Sequence, residues 1–424
     1  MQLPHGVITG NPARPAAQPR VFYGWWMVLM GFVISAIGAG NGYLTGAYMV
    51  PFKEAFHAST ENLVVATSAL MMLAYGLLSP LYAILVRRFA LRYFAAAVFL
   101  AMALGYVGLA YATALWQVAI VYSAFFSIGY LGYLVAPTLV ANWFITRRGF
   151  AFGLTGCGFA VPGFLLAPLM TYAIRHYGMS ASFLVYGLFI ACLVPVALIY
   201  VVDRPEDKGL HPDGSAVLFE DPSAAAVKSA WTPSRLLRTK RFWIVAVIVN
   251  IQPTVVLQLT IHLMPMAKGA GIDLQAASFL LSVFAAMAVV GKIGIGWLSD
   301  RLSLRTIALI PMVGIMLCCC VLLAGSHLVE FFLASAVLGI NSGAGVVMIG
   351  LVIARTFGRE AFGLVVGLTV PLAVAMSTLA TWATGRIIDV TGHYEIPIES
   401  FIALLVIGVL LAFSFPRRQS PAVE

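Results

Sequence analysis

Asp203-Arg204-Pro205-Glu206-Asp207-Lys208 opens the one long polar stretch of this 424-residue chain, and what flanks it decides the fold. The stretch runs to about residue 240. Before it, six apolar segments cover about 22–50, 62–86, 93–111, 117–145, 150–175 and 182–202. After it, six more cover about 241–268, 275–299, 305–325, 330–354, 361–388 and 397–415. Each is of the length, roughly 17–25 residues or a little more, that crosses a bilayer as a helix. Composition agrees: 61% of residues are hydrophobic and 10% charged, against about 25% charged in soluble domains. So little polar surface does not cover a soluble globule of this length. The expected fold is an all-α membrane protein with twelve transmembrane helices in two six-helix halves. Residues 1–21 form a tail, 22–202 the first bundle, 203–240 a linker, 241–415 the second bundle and 416–424 a second tail.

The distribution of Lys and Arg sets the orientation, because short cytoplasmic loops are enriched in both. With the N-terminus inside and the spans alternating, 20 of the 25 basic residues fall on the cytoplasmic side. They include Arg14 and Arg20, Arg87, Arg88 and Arg92, Arg147 and Arg148, Arg301 and Arg305, Arg355 and Arg359, and Arg417 and Arg418. Lys53, Arg175, Lys268 and Arg386 fall opposite. A multi-pass protein of the cell (inner) membrane, both termini cytoplasmic, is expected. The same skew explains the net charge of +9 without a nucleic-acid partner. Residues 1–21 are Pro-rich and polar, unlike a cleavable signal peptide. Cys157, Cys192, Cys318, Cys319 and Cys320 lie in apolar stretches without metal-ligand spacing and read as packing residues. No metal or cofactor is expected. Gly153-Leu154-Thr155-Gly156-Cys157-Gly158 lacks the Lys-Ser/Thr ending of a phosphate-binding loop, so neither an ATP-driven pump nor an enzyme is indicated.

The halves echo each other. Leu85-Val86-Arg87-Arg88-Phe89-Ala90-Leu91-Arg92 follows span 2, and Leu298-Ser299-Asp300-Arg301-Leu302-Ser303-Leu304-Arg305 follows span 8. Ala151-Phe152-Gly153-Leu154 opens span 5, and Ala361-Phe362-Gly363-Leu364 opens span 11. Two echoes at equivalent junctions indicate duplication, a common construction among secondary transporters.

Gly296-Trp297-Leu298-Ser299-Asp300-Arg301 with Arg305 resembles the loop signature of the major facilitator superfamily. Phe22-Tyr23-Gly24-Trp25-Trp26, Trp143-Phe144 before Arg147-Arg148-Gly149, and Arg355-Thr356-Phe357-Gly358-Arg359 before Phe362-Gly363 are similar to its monocarboxylate transporter and oxalate:formate antiporter branch. The resemblance runs from about 22 to 415. It implies the major facilitator fold, a monomer, and alternating access to a small organic anion. Asp300, Arg301 and Arg305, with Arg88 and Arg92, are the expected gating loop. Arg87 stands where the first-half loop of the family has its acid, so that copy is expected to contribute less or to use other partners.

Charge inside the membrane is the sharpest filter, since it costs about 2.5–3.5 kcal/mol at the bilayer centre. Lys292, in span 8, is the one basic residue well inside a span. Two readings are open: the amine snorkels to the nearby interface, or it is a fixed cation that attracts an anion. The resemblance favours the second, because the branch has its carboxylate-binding Arg at this position. Lys in its place gives a point charge rather than a planar fork. Ala288 stands where vertebrate carriers place an Asp, Gly46 where they place a Lys, and Thr369 near the antiporter's second cation. One intramembrane charge fits a monoanion.

His262 is a candidate proton acceptor or a hydrogen-bonded histidine near a helix end; with Lys292 it completes the proton-coupling candidates. The family's cavity-lining spans 1, 4, 7 and 10 carry Asn41 and Tyr43; Tyr130 and Tyr133; Asn250, Gln252 and Gln258; Asn341 and Ser342. Tyr130 and Tyr133 share a helix face and read either as ligands or as packing. The expected substrate contacts are Lys292, Tyr130, Tyr133, Asn41 and Asn341. The expected function is proton-coupled carriage of lactate- or pyruvate-like monocarboxylates. The alternatives are an organic anion exchanger of the oxalate:formate type and a carrier of an unrelated substrate.

Overall fold

The computed structural model describes residues 22–39, 41–214, 231–324 and 327–415. Arg14, Arg20, Ser215, Arg417 and Arg418 lie outside them, as do the side chains of Asn41 and Tyr43. The described chain is helical throughout its apolar segments, as lipid requires: every backbone polar group must be paired within the segment. Spans 3, 7, 8, 9 and 12 are single helices, Leu91–Ala110, Lys240–Gly269, Leu274–Ser299, Leu304–Ala324 and Glu395–Ala412. Spans 1, 2, 4 and 5 are interrupted by short wide turns, at Ser35–Ala39, Val65–Ala69, Tyr122–Phe126 and Pro162–Leu166. Span 6 is Met179–Ala191 continued by Leu193–Tyr200.

Spans 10 and 11 run from Leu328 to Thr391 and are parted at Gly358, whose φ of 76° and ψ of 173° no side chain tolerates cheaply. That glycine turns the chain back, so span 11 starts beside the end of span 10. Among the described residues twelve spans in two sets of six result, as the hydropathy pattern predicts.

The halves meet unevenly along their length. Call the end that carries the 203–214 segment the linker end. There span 8 packs on span 5, and span 11 on span 2. From Arg148 to Phe159 every residue of span 5 but Phe150 and Leu154 is buried, and from Ala361 to Val370 every residue of span 11 but Leu368. Towards the far end the pattern reverses: between Ala167 and Tyr177 only Met170 is buried, and between Pro371 and Thr391 only Thr384. The bundle is closed at the linker end and splayed at the far end.

Candidate substrate site

Lys292 sits where closure gives way to opening. Seven residues separate it from Ser299, which puts its Cα roughly 10 Å from the linker end of span 8. Its backbone is clamped by glycines. A Cβ on Gly153 of span 5 would run into the Lys292 carbonyl, and one on Gly343 of span 10 into the Ala288 carbonyl. Close approach of backbones is what small residues permit in membrane helices. The Lys292 side chain does not turn back to the linker end. It is 7% exposed, passes Gly156, and sets its Nζ 5.7 Å from the centre of the Phe159 ring in the opposite half. Snorkelling is therefore not the arrangement seen. Among the described residues no carboxylate pairs with it.

Beyond Phe159 the rings continue. Tyr133 stacks on Phe159 with centroids 4.4 Å apart and planes 20° from parallel. Tyr130 follows at 5.0 Å, and Tyr75 of span 2 at 5.4 Å. The Tyr130 hydroxyl lies alongside Gly42 of span 1. Lys292, Tyr130 and Tyr133 are thus brought to one region, joined by Phe159 and Tyr75, which the sequence reading did not single out.

Other candidates are placed elsewhere. The Asn341 amide donates to the Val337 carbonyl of its own helix at 2.7 Å, and its carboxamide fills the space over Gly314 of span 9. It faces a neighbouring helix rather than Lys292. Asn250 donates to the Thr369 carbonyl at 3.2 Å, Gln252 to the Asn341 carbonyl at 3.2 Å and Gln258 to the Thr381 hydroxyl at 2.8 Å. These three stitch span 7 to spans 10 and 11. His262 packs on Tyr394 at 5.6 Å between ring centres. It lies 22 residues into span 7 from Lys240, roughly 33 Å along the helix, near the far end and well away from the level of Lys292.

At the linker end the Asp300 carboxylate accepts the backbone N–H groups of Gly149 at 2.7 Å and Phe150 at 3.2 Å, the first turn of span 5. A negative charge there satisfies orphan donors and complements the helix dipole. Burial pushes the Asp300 carboxyl above the usual carboxylate range, opposed by the two amides and by Arg355. Arg355 caps the end of span 8, donating to the carbonyls of Ser299 at 3.0 Å and Leu302 at 2.9 Å. Arg148 is buried and does the same for span 4, through Phe144 and Ala141.

Of the five residues expected to gate, Asp300 alone bridges the halves through a hydrogen bond among the described residues. Arg301 lies over Trp297 at 4.7 Å, Arg305 over Phe413 at 3.7 Å and Arg92 over Tyr93 at 5.2 Å, each within its own half. Arg88 is exposed. Three partners went unread in the sequence. Asp203 accepts the Leu91 N–H at 2.8 Å and Asp213 the N–H groups of Ile145 and Thr146 at 2.9 and 2.8 Å, while Arg355 stands in a family motif and a basic loop without a capping role to be read from either. Burial raises the Asp203 carboxyl as well, opposed by that Leu91 amide.

A cation at the floor of a cleft between two six-helix halves is the arrangement of a carrier, and the sequence comparisons agree with it. The sequence model of the Major Facilitator Superfamily matches residues 28–370 and again 254–423. The chain belongs to the Major Facilitator Superfamily. Within it, the chain is similar to human monocarboxylate transporter 12, 22% identical over 95% of this chain and 81% of that one. It is similar also to human monocarboxylate transporter 2, 23% identical over 93% and 86%. Among solved structures, the proton:xylose symporter XylE superposes with a TM-score of 0.73 at 13% identity, over 93% of this chain and 96% of that one. That likeness shows the fold. The protein is a multi-pass membrane transporter of this superfamily and not an enzyme.

Proposed function

We propose that this transporter carries small monocarboxylates by alternating access around Lys292. The observation that carries the reading is the buried, acid-free amine of Lys292 at the floor of the cleft. In a low-dielectric site a lone cation attracts an anion strongly, and a single cation balances a single carboxylate. The 20-to-4 charge skew supports a cytoplasmic linker end in a cell membrane, and the described state is then outward-facing. A cysteine replacing Ser215 should then resist impermeant thiol reagents in sealed cells and react after permeabilisation; labelling of sealed cells reverses the orientation.

Proton symport is the coupling we propose, with Lys292 and not His262 as its centre. A carboxylate on the protonated amine makes a neutral pair that crosses without moving net charge. The distance of His262 from the Lys292 level supports this choice.

The test is uptake into proteoliposomes at clamped potential under an inward proton gradient. Wild type and His262→Asn should accumulate a labelled monocarboxylate alike. Lys292→Gln should lose saturable uptake while folding normally, and Lys292→Arg should keep part of it. Unchanged affinity in Lys292→Gln removes the residue from the site. Uptake stimulated only by preloaded anion replaces symport with exchange.

A further inference from the structure

We infer that the cleft selects aryl carboxylates, with the carboxylate on Lys292 and the ring against Tyr133 and Tyr130. This deepens the carboxylate reading above and rests on it. A two- or three-carbon acid is held fully by one ammonium and a few hydrogen bonds. It leaves unused what lies next to that ammonium, a continuous run of four rings, Phe159, Tyr133, Tyr130 and Tyr75, spaced at 4.4, 5.0 and 5.4 Å.

Phe159 and Tyr75 are buried, but Tyr133 and Tyr130 are only part-buried. They sit above the closed floor, so part of their surface borders the open cleft. The neighbour spacings lie at the short end of the range of offset-stacked and edge-to-face pairs, a geometry that one more ring can join. The Nζ stands 5.7 Å from the first ring. A carboxylate joined to its own ring by one or two carbons therefore meets the amine while its ring reaches the tyrosines.

The wall opposite is small. Ala288 and Ala285, four and seven residues before Lys292, share its face of span 8. Ala285 is exposed, and Gly156 adds no side chain beside the lysine stem. Small side chains thus share the face of span 8 that carries the lysine. Ala288 also brings no acid that would repel the approaching carboxylate or neutralise the lysine. Cation, aromatic run and small neighbours together suit an acid that carries a ring better than a short aliphatic one.

The experiment uses the full chain in liposomes, with labelled phenylacetate and labelled lactate under the same proton gradient. Phenylacetate should half-saturate at about one-tenth the lactate concentration, the scale of one well-made aromatic contact. Tyr133→Leu should shrink that preference about tenfold, and Tyr133→Phe should keep it, because the ring face and not the hydroxyl is invoked. Lactate carried as well as or better than phenylacetate overturns the inference while the carrier reading stands. Loss of the preference in Tyr133→Phe also overturns it. Failure to carry either acid removes both.

Discussion

The two seams that close the linker end carry the two echoed loops of the sequence and are built differently. Between spans 8 and 5, Asp300 reaches across and caps the first turn of the opposing helix. Below it the backbones touch, with Gly296 against Gly149 and Gly153. Between spans 2 and 11 the equivalent of Asp300 is Arg87, which has only donors to offer and cannot cap N–H groups. That seam uses glycine contacts higher up, Gly363 against Val86 and Thr138, and Gly367 against Ser79 and Ala83. At its mouth stands an ion pair, Arg359 to Glu206 at 2.6 Å. A cavity of about 360 Å³ remains there, lined in part by Arg87, Arg204, Trp231 and Arg359. One seam is locked by a half-buried charge on backbone donors; the other is latched by side chains near water. The lesson is that two echoed loops need not close a bundle in the same way.

The largest effect is expected where backbones touch. Gly153→Val places a branched side chain against the Lys292 carbonyl, which cannot move aside without shifting span 8. Overpacking of this kind costs about 1–3 kcal/mol. The closed linker end should therefore lose about one to two orders of magnitude in population relative to open forms. Spin labels at Arg88 and Arg301, exposed on opposite halves, read this directly as a longer distance. A valine that leaves the distance distribution unchanged shows that the glycine contact does not hold the seam.

The sequence made some of this legible and hid the rest for a physical reason. Span positions and the two halves follow from hydropathy, because lipid demands long apolar helices whatever their neighbours. Asp300 stands out through the loop signature it completes, and Lys292 because charge is rare inside these spans and therefore informative. Faces were not. In a membrane bundle a helix is apolar all round, so periodicity no longer separates buried from exposed. Asn341 illustrates the loss: its position on span 10 was right, but nothing in the residues says that its side chain turns to Gly314 of span 9. Phe159 is the converse, one phenylalanine among 27 until the fold sets it beside Lys292. Arg148 and Arg355 stand in family motifs and basic loops, but their capping role depends on which helix end lies within reach.

The smaller effects divide the two seams by chemistry, and the pair of variants Asp300→Asn and Glu206→Gln measures the division. Asp300→Asn keeps the shape but leaves one acceptor oxygen where two amides had the carboxylate, and removes the charge that complements the helix start. Hydrogen bonds to a charged group contribute about 1.5–3 kcal/mol, and this carboxylate also carries a desolvation cost, since burial raises its pKa. The net loss should fall near the lower figure, about tenfold in the closed-to-open ratio. Glu206→Gln removes the carboxylate from a pair whose side chains are 38% and 20% exposed. Pairs so open to water contribute about 0.2–1 kcal/mol and weaken in salt. Its expected shift is about two- to threefold at low ionic strength and close to none at high salt, whereas the Asp300→Asn shift should persist. Spin-label distances between Arg88 and Arg301 at two salt concentrations give all four values. If Glu206→Gln opens the linker end as far as Asp300→Asn does, and at both salts, the ion-pair seam carries equal load and the two copies of the loop are not divided as argued.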